Sequence, residues 1–272
     1  MSNLTIICVT NKRIEFLEKI QSILLGAVGE NIFNNKYLKC NQNDNIFFKE
    51  KYYSELTFQY WFWKNRLSSL DENDWIGFCQ RRRYWIKKDS LKEHINTLNL
   101  KNFILSEIPN TWKGYNSIIC EPIYVNGVNK VKLLKRGFKS LIQDPAIFFN
   151  NEKQTVKLHF DMHHGYGNLD KAINLLDEDD RDEFRSYVEN QVCFNPHIMF
   201  IAKTYIANQW FNKLFPWLFR CEKIFGFKNL KGYDSQRLYA YLAERYLSFW
   251  FKKYSKYIEW PYVTFYLSLI HI

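Results

Sequence analysis

The sequence is poor in the features that mark common cofactor-binding and secreted proteins. Its 272 residues include only 10 glycines, and no G-x-G-x-x-G turn for a dinucleotide occurs anywhere. The six cysteines are scattered without a C-x-x-C pair, and Cys8 and Cys79 lie inside apolar, strand-like runs. We therefore expect reduced core thiols rather than disulfides or zinc ligands.

Long apolar segments are also missing. The first residues show neither the basic n-region nor the apolar h-region of a secretory signal, and no uninterrupted run of about 18 apolar residues occurs. We expect a cytoplasmic protein without a membrane-spanning helix.

The composition indicates a folded, strongly basic protein. Apolar residues make up 47% of the chain and aromatic residues 18%, which excludes disorder. The formal net charge of +10 favours polyanions, anionic membrane surfaces or phosphorylated small molecules, and does not separate them. The length favours one α/β domain with an elaborated end.

The stretch 53–85 is the most informative part of the chain. Four apolar residues at helical spacing predict a helix, namely Leu56, Tyr60, Trp63 and Leu67. After a polar break at 70–74, the apolar run 75–79 predicts a buried strand that ends at Arg81, Arg82 and Arg83. Ligands bind at the carboxyl ends of strands in open α/β sheets, and guanidinium groups suit a diphosphate. The alternative is a solvated surface or a nucleic-acid contact.

The chain begins with a second strand signal. The β-branched run Leu4–Thr10 predicts the first parallel strand, and apolar spacing over 14–25 predicts a crossover helix. The turn between them holds Thr10 and Lys12. Residues 26–50 are polar and asparagine-rich, which indicates a loop.

A histidine-rich stretch follows at 159–167. Asp161 and His163 have a spacing that could hold a divalent metal ion, and His163 with His164 could meet a diphosphate or an acceptor hydroxyl. The alternative is an interaction loop that leads into a helix at 169–176. Further along, Asp234 precedes the last helical stripe, where an aspartate commonly caps the helix.

Several of these stretches together resemble a bacterial glycosyltransferase family that is encoded among capsular-polysaccharide and O-antigen genes. The matching motifs are E-L-T at 55–57, Y-W-x-W-K-N at 60–65 and I-G-F-C-x-R-R-R-Y at 76–84. Weaker matches lie at 194–203 and 238–250. The resemblance spans 4–250 and is weak between 125 and 155. Gln80 and Arg81 stand where the family usually has a His-Tyr pair, so no role of that histidine carries over.

The resemblance implies an α/β fold with a single nucleotide-sugar-binding (GT-A-like) domain. We expect a mainly parallel, twisted sheet flanked by helices, with a helical carboxyl-terminal third. The expected boundaries are 1–256 for this domain, with a donor half at 1–125 and an acceptor half at 155–256. Residues 257–272 form an aromatic tail that packs on the domain or touches the membrane.

The implied activity is a Leloir transfer from a nucleotide-diphosphate sugar to a glycan or lipid-linked glycan acceptor in capsule or O-antigen synthesis, with galactofuranose as one candidate sugar. The expected donor-binding residues are Thr10, Lys12, Glu55, Arg81, Arg82 and Arg83. The candidate catalytic residues are Asp161, His163, His164 and Asp234. The inner-membrane surface is a further candidate partner, through the basic charge and the aromatic tail.

A metal cofactor is not favoured by the sequence. Many such enzymes hold a divalent ion with an Asp-x-Asp motif after a buried strand, but no acid follows the 75–79 strand here. Arginines can neutralise the leaving diphosphate instead. Mn²⁺ or Mg²⁺ held by Asp161 and His163 remains the reserve hypothesis.

Two other functions stay open at this stage. A basic, aromatic-rich chain could bind nucleic acid, although most aromatic residues fall on apolar stripes and no binding motif is legible, so no nucleic-acid partner is expected. A catalytically silent scaffold of a polysaccharide assembly complex is the other alternative.

Overall fold

The computed structural model describes residues 2–91 and 93–265. The strands in chain order are β1 (Leu4–Thr10), β2 (Leu24–Ala27), β3 (Tyr37–Lys39), β4 (Trp75–Gln80), β5 (Arg83–Trp85), β6 (Ser117–Cys120), β7 (Ile123–Tyr124), β8 (Cys193–Phe194), β9 (Phe200–Lys203), β10 (Tyr257–Trp260) and β11 (Tyr262–Thr264). All except β7 and β8 belong to one sheet.

The α-helices are α1 (Glu50–Tyr53), α2 (Leu56–Asn65), α3 (Leu100–Phe103), α4 (Lys130–Arg136), α5 (Phe138–Gln143), α6 (Val156–His164), α7 (Asn168–Ile173), α8 (Glu178–Asn190), α9 (Thr204–Phe225), α10 (Tyr233–Gln236) and α11 (Leu238–Tyr254). Short 3-10 helices lie at Leu17–Lys19, Phe47–Lys49, Leu67–Ser69, Lys88–Ser90, Asn110–Trp112, Pro145–Phe148 and Asn151–Lys153.

The large sheet is mostly parallel and runs in the order β10-β6-β9-β4-β1-β2-β3. Strand β1 pairs in parallel with both β2 and β4, and β10 pairs in parallel with β6. Strand β9 is antiparallel to its neighbours β4 and β6. The predicted α/β class with a mainly parallel, helix-flanked sheet is confirmed.

Two glycines leave room for close packing within the sheet and on its face. A Cβ atom at Gly77 in β4 would lie 2.7 Å from Cγ1 of Ile201 in β9. One at Gly26 in β2 would lie 2.7 Å from the ring of Phe58 in α2. Helix α2, predicted from its apolar stripe, therefore packs directly on the sheet.

The predicted crossover helix over 14–25 is wrong. The spaced residues Ile14, Leu17 and Ile20 are buried, but only Leu17–Lys19 forms a helical turn and the chain then enters β2. Because β2 joins the sheet beside β1, its backbone hydrogen bonds go to a strand and no longer helix forms. The predicted loop over 26–50 likewise contains β3 and the 3-10 helix Phe47–Lys49, and α1 begins at its last residue.

The histidine-rich stretch is helical rather than a loop. It forms α6, in which Thr155 caps the amino terminus by accepting a hydrogen bond from the Leu158 N–H at 3.4 Å. The stretch at 194–203 that resembles the family is divided between β8 and β9. His197, with φ of 70°, stands at the break.

The chain forms two compact units, each made of separate segments. Unit 1 comprises 1–121, 197–212 and 251–272, and unit 2 comprises 122–196 and 213–250. Unit 1 contains the large sheet and a core that includes Ile6, Ile118 and Trp260. Unit 2 contains the β7–β8 pair, α4 to α8 and α10, and a small core of Leu133, Ile147, Leu158 and Met162. These units differ from the contiguous halves expected from the sequence.

The carboxyl-terminal segment is part of the sheet of unit 1. Strand β10 pairs with β6, and β11 pairs antiparallel with β5. Trp260 and Phe265 are buried, so the expected aromatic tail is a core element up to residue 265. Residues 266–272 of that tail lie outside the described residues. Across the described parts of the chain, no helix has both the length and the apolarity to cross a bilayer.

Candidate functional site

The three consecutive arginines lie at the carboxyl end of β4, and we call them the arginine turn (Arg81, Arg82 and Arg83). Gln80 pairs with Arg83 in an antiparallel register, so Arg81 and Arg82 form the tight connection to β5. All three side chains are partly exposed. The arrangement places guanidinium groups at the edge of the sheet where ligands bind in α/β proteins.

Backbone contacts hold this turn in place. The Phe265 N–H donates to the Arg82 carbonyl at 2.8 Å, and the Tyr84 hydroxyl donates to the Arg81 carbonyl. Arg83 donates from Nη1 to Oε1 of Gln80 at 2.8 Å. Its Nε is buried and has no hydrogen-bond partner among the described residues, which is uncommon for a charged donor.

Thr10 and Lys12 lie at the same edge as the arginine turn. Strands β1 and β4 are parallel neighbours in which Val9 is level with Gln80, so both strands end together. The buried Thr10 hydroxyl donates to the Lys12 carbonyl at 2.6 Å and lies 3.1 Å from the Lys12 N–H. These contacts close the turn after β1 and leave Lys12 exposed.

Glu55 lies directly before α2, as the sequence predicted. The preceding Ser54 has φ of 54°, an unusual value for a residue with a side chain, and its hydroxyl donates to a Glu55 carboxylate oxygen. Burial chiefly, then the neighbouring Cys79 and the charge of Glu55, raise the pKa of Cys8 well above its usual value. Glu55 is thus close enough to β1 for its charge to act on Cys8.

In unit 2, α6 carries three histidines into contact with arginines from other helices. We call His159, His163, His164, Arg136 and Arg245 the histidine–arginine cluster. Nη2 of Arg245 is 3.0 Å from Nδ1 of His159, and Nη1 of Arg136 is 3.0 Å from Nδ1 of His163. The rings of His159 and His163, one helical turn apart, have centroids 4.8 Å apart.

These contacts assign the tautomers of the three rings. A guanidinium can only donate, so Nδ1 of His159 and of His163 must accept and the proton resides on Nε2. Nδ1 of His164 instead faces the backbone carbonyl of Asp234 at 2.8 Å and must donate. His164 therefore has its lone pair on Nε2, the opposite of the other two.

All three imidazoles are neutral at neutral pH. Burial, with Arg245 next, lowers the pKa of His159 to about 2. Burial, followed by Lys132 and Arg136, lowers the pKa of His163 to about 4. The pKa of His164 is also lowered to about 4 by burial and then Arg245, and its ring stacks on Tyr241 with centroids 3.7 Å apart.

Asp161 faces a different side of α6 from His163. Its Oδ1 accepts a hydrogen bond from the Gly167 N–H at 3.0 Å, and burial raises its pKa to about 6 despite that bond. Residues two positions apart do not face each other on a helix, so the helix separates Asp161 from His163. In the described residues, no three His, Cys, Asp or Glu side chains are grouped as metal ligands would be.

Asp234 does not cap the last helix. Gly232 occupies the cap position before α10, and Oδ2 of Asp234 lies 3.1 Å from Nη1 of Arg136. The structure therefore brings Asp234 together with His163 and His164, through Arg136 and through its own carbonyl.

The two arginines of this cluster were missed from the sequence. Arg136 lies between 125 and 155, where the family resemblance is weak, and no local signal links it to His163, 27 positions away. Arg245 lies in the stretch 238–250, which only resembles the family and predicts no role for it. It is 1% exposed, pairs with Glu244 at 2.6 Å and lies 3.8 Å from the centre of the Phe194 ring.

Comparison with known proteins places this geometry in context. The profile of a family described as "Domain of unknown function (DUF4422)" matches residues 5–256. The apo structure of WbbM, a bifunctional glycosyltransferase, aligns with a TM-score of 0.70 and 17% identity, covering 97% of this chain. The chain spans 45% of the length of that WbbM chain. A search of curated proteins found no match.

Proposed function

This chain belongs to the family described as a domain of unknown function (DUF4422), and we propose that it is a glycosyltransferase that uses a nucleotide-diphosphate sugar. The observation that carries the proposal is the arginine turn, which ends β4 at the same sheet edge as Thr10 and Lys12. The fold shared with a bifunctional glycosyltransferase supports it.

The donor diphosphate is assigned to the arginine turn. The buried Nε–H of Arg83 lacks a partner in the described residues, and a phosphate oxygen is a suitable acceptor for it. Arg82 and Lys12 add positive charge at that edge, and Glu55 is assigned to the nucleotide. These cations neutralise the charge that develops on the leaving diphosphate as the sugar departs.

Asp161 is the favoured general base for the acceptor hydroxyl. Its pKa of about 6 is nearer to neutral pH than those of His163 and His164, which lie near 4. A base with a pKa near the working pH is the most effective one. The carboxylate of Asp234 is engaged with Arg136, and we assign it, with His163 and His164, to holding the acceptor.

The finer parts of the proposal concern substrates and place. We propose a glycan or lipid-linked glycan of a bacterial capsule or O-antigen as the acceptor, with galactofuranose among the candidate sugars. The protein would act in the cytoplasm at the inner membrane. No divalent ion is favoured, and Mn²⁺ or Mg²⁺ is kept as an arm of the test.

The test is a thermal-shift panel of nucleotides and nucleotide sugars, measured with and without Mn²⁺. A ligand at 100 times its Kd adds about 2.7 kcal/mol to the free energy of unfolding, which is readily detected. We expect the Arg82→Ala and Arg83→Ala variants to lose roughly 1.5–3 kcal/mol of binding to the diphosphate nucleotide.

Arg66→Ala is the matched control, because Arg66 is an exposed arginine of the same unit that packs over the Trp61 ring. Equal binding by Arg82→Ala, Arg83→Ala and Arg66→Ala would remove the arginine turn from the donor site. Salt-sensitive retention on nucleic acid without nucleotide-sugar binding would favour the nucleic-acid alternative. Intact partner binding with no transfer of any sugar would favour the scaffold.

A further inference from the structure

Helices α4 and α5 of unit 2 present an apolar stripe to solvent. They are separated by one residue, Gly137, whose N–H donates to the Leu133 carbonyl and whose carbonyl accepts from the Leu141 N–H. Gly137, with φ of −100° and ψ of 9°, thus ends α4 and begins α5. Four large apolar side chains on this segment are exposed, namely Val131 (58%), Leu134 (50%), Phe138 (59%) and Ile142 (65%).

The spacing of these four residues places them in two pairs. Val131 and Leu134 are three positions apart on α4, and Phe138 and Ile142 are four apart on α5, so each pair lies on one face of its helix. Leu133 is fully buried in the small core of unit 2, so the inward side of α4 is anchored there. Exposed apolar residues elsewhere, such as Ile32 and Leu98, are separate in sequence and form no helical stripe.

The stripe is bordered by positive charge only. The segment 122–143 contains five cations and no acidic residue, the cations being Lys130, Lys132, Lys135, Arg136 and Lys139. The exposed apolar pairs have lysines beside them in the sequence, Lys132 and Lys135 on α4 and Lys139 on α5. An apolar face bordered by lysines is the pattern of a segment that lies in a membrane interface.

We propose that α4 and α5 form a docking surface for an anionic lipid bilayer. The apolar stripe enters the boundary between headgroups and acyl chains, and the lysines contact anionic headgroups. This places membrane contact on unit 2. In the carboxyl-terminal segment, by comparison, Trp260 and Phe265 are buried in unit 1 and Tyr257 and Tyr262 are only partly exposed.

The same helix reaches the histidine–arginine cluster. Arg136 in the last turn of α4 contacts both His163 and Asp234. A bilayer on the outer face of α4 would thus lie against the unit that holds the residues assigned to the acceptor. This link to a lipid-linked acceptor rests on the proposed function, whereas vesicle binding itself does not.

The test is co-sedimentation of the full chain with vesicles of phosphatidylcholine alone or mixed with phosphatidylglycerol, at low and at high salt. We expect binding to the mixed vesicles, weakening at high salt, and little binding to phosphatidylcholine alone. Lys135→Gln combined with Lys139→Gln should lower the partition coefficient by about fivefold for each lysine removed. Phe138→Ser combined with Ile142→Ser should lower it on the order of tenfold or more.

Matched controls separate this surface from general charge and apolarity. Ile32→Ser with Leu98→Ser removes two apolar side chains of unit 1 that are even more exposed than those of the stripe. Lys19→Gln with Lys101→Gln removes two exposed lysines of the same unit. Both controls should bind as the wild type does. Vesicle binding needs neither donor nor transfer, so its failure is distinguishable from failure of the proposed function.

Two results would overturn the proposal. One is wild-type protein that stays in the supernatant with mixed vesicles at low salt, or α4–α5 variants that bind like their controls. The other is sedimentation velocity without vesicles showing a dimer that Phe138→Ser with Ile142→Ser dissociates, because the stripe would then contact a second copy of the chain.

Discussion

The arginine turn in unit 1 and the histidine–arginine cluster in unit 2 place similar cationic side chains in different surroundings. In the cluster, Arg245 and Arg136 each donate to a histidine and to a carboxylate of the chain itself. In the turn, the backbone carbonyls of Arg81 and Arg82 are satisfied, and Arg83 donates to Gln80. The buried Nε atoms of Arg83 and of Arg245 both lack a partner among the described residues.

Arg245 is 1% exposed and its contacts are internal, whereas the arginines of the turn are partly exposed at the end of β4. A buried guanidinium mainly stabilises the fold, and an exposed one can also bind an anion from solution.

The largest expected effect is on stability, from Arg245→Ala. The substitution leaves Glu244 without its buried partner and removes the contact with the Phe194 ring. Breaking a buried ion pair costs about 3–5 kcal/mol in the free energy of unfolding. Urea denaturation measures this loss. Arg136→Ala, which breaks a pair 44% exposed on both sides, should cost no more than about 1 kcal/mol. Equal losses for the two variants would contradict the contrast.

Acidification should also lower the free energy of unfolding substantially. The folded pKa values of His159 and His164, about 2 and about 4, lie below the ordinary value of 6.5. The unfolded chain therefore binds more protons below that pH, and stability present above pH 6.5 is lost on acidification toward pH 4. Each histidine contributes at most about 1.4 kcal/mol per pH unit.

Asp161 opposes this trend only in part. Its pKa is raised from 3.8 to about 6, so it favours the folded state as the pH falls through 6. Three histidines with lowered pKa values, His159, His163 and His164, outweigh one aspartate, and unfolding free energies at pH 7 and pH 5 should show a net loss. His159→Gln should make the dependence of the unfolding free energy on pH less steep. A profile that is flat in the wild type would show that these imidazoles are not held neutral.

The effect on catalysis should be of intermediate size and should separate arginines from metal. If the arginine turn neutralises the diphosphate, Arg82→Ala should slow sugar transfer by roughly tenfold to a hundredfold, the equivalent of a lost charged hydrogen bond. EDTA should then leave transfer nearly unchanged. Loss of transfer in EDTA, its recovery with Mn²⁺, and an active Arg82→Ala enzyme would together assign the role to a metal ion.

The smallest effect concerns the position of single protons. Nitrogen-15 NMR of the folded protein at neutral pH should show the Nε2–H tautomer for His159 and His163 and the Nδ1–H tautomer for His164. The contacts with Arg245, Arg136 and the Asp234 carbonyl are the reason. Arg136→Ala should release His163 alone into a tautomer mixture. The same tautomer in all three rings would contradict the cluster geometry.

Much of unit 1 could be predicted from local sequence. Helix α2 was predicted from its helical spacing and β1 and β4 from short apolar runs, and parallel strands bring residues after their ends to one edge. That logic placed Thr10 and Arg81 at the same edge correctly. The prediction of a helix over 14–25 was wrong, because helical spacing of Ile14, Leu17 and Ile20 also suits an irregular segment that packs inward before a strand.

Unit 2 depended far more on the tertiary structure. The histidine pattern at 159–164 was legible, yet whether it was a loop or a helix was not, and the spacing of Asp161 and His163 suggested a metal site that the helix separates. The partners that determine the chemistry come from distant positions. His159 meets Arg245, 86 positions away, and His164 meets the carbonyl of Asp234, 70 positions away.

By itself, then, the sequence determined which segments carry the chemistry: the arginine run after a buried strand and the histidines between Val156 and His164. Periodicity and composition are local properties and suffice for that. Only the tertiary structure decided their states, because protonation, tautomer and pairing depend on burial and on neighbours that packing brings together. The same holds for the basic stretch at 130–139, where the fold determined which apolar residues remain exposed to solvent.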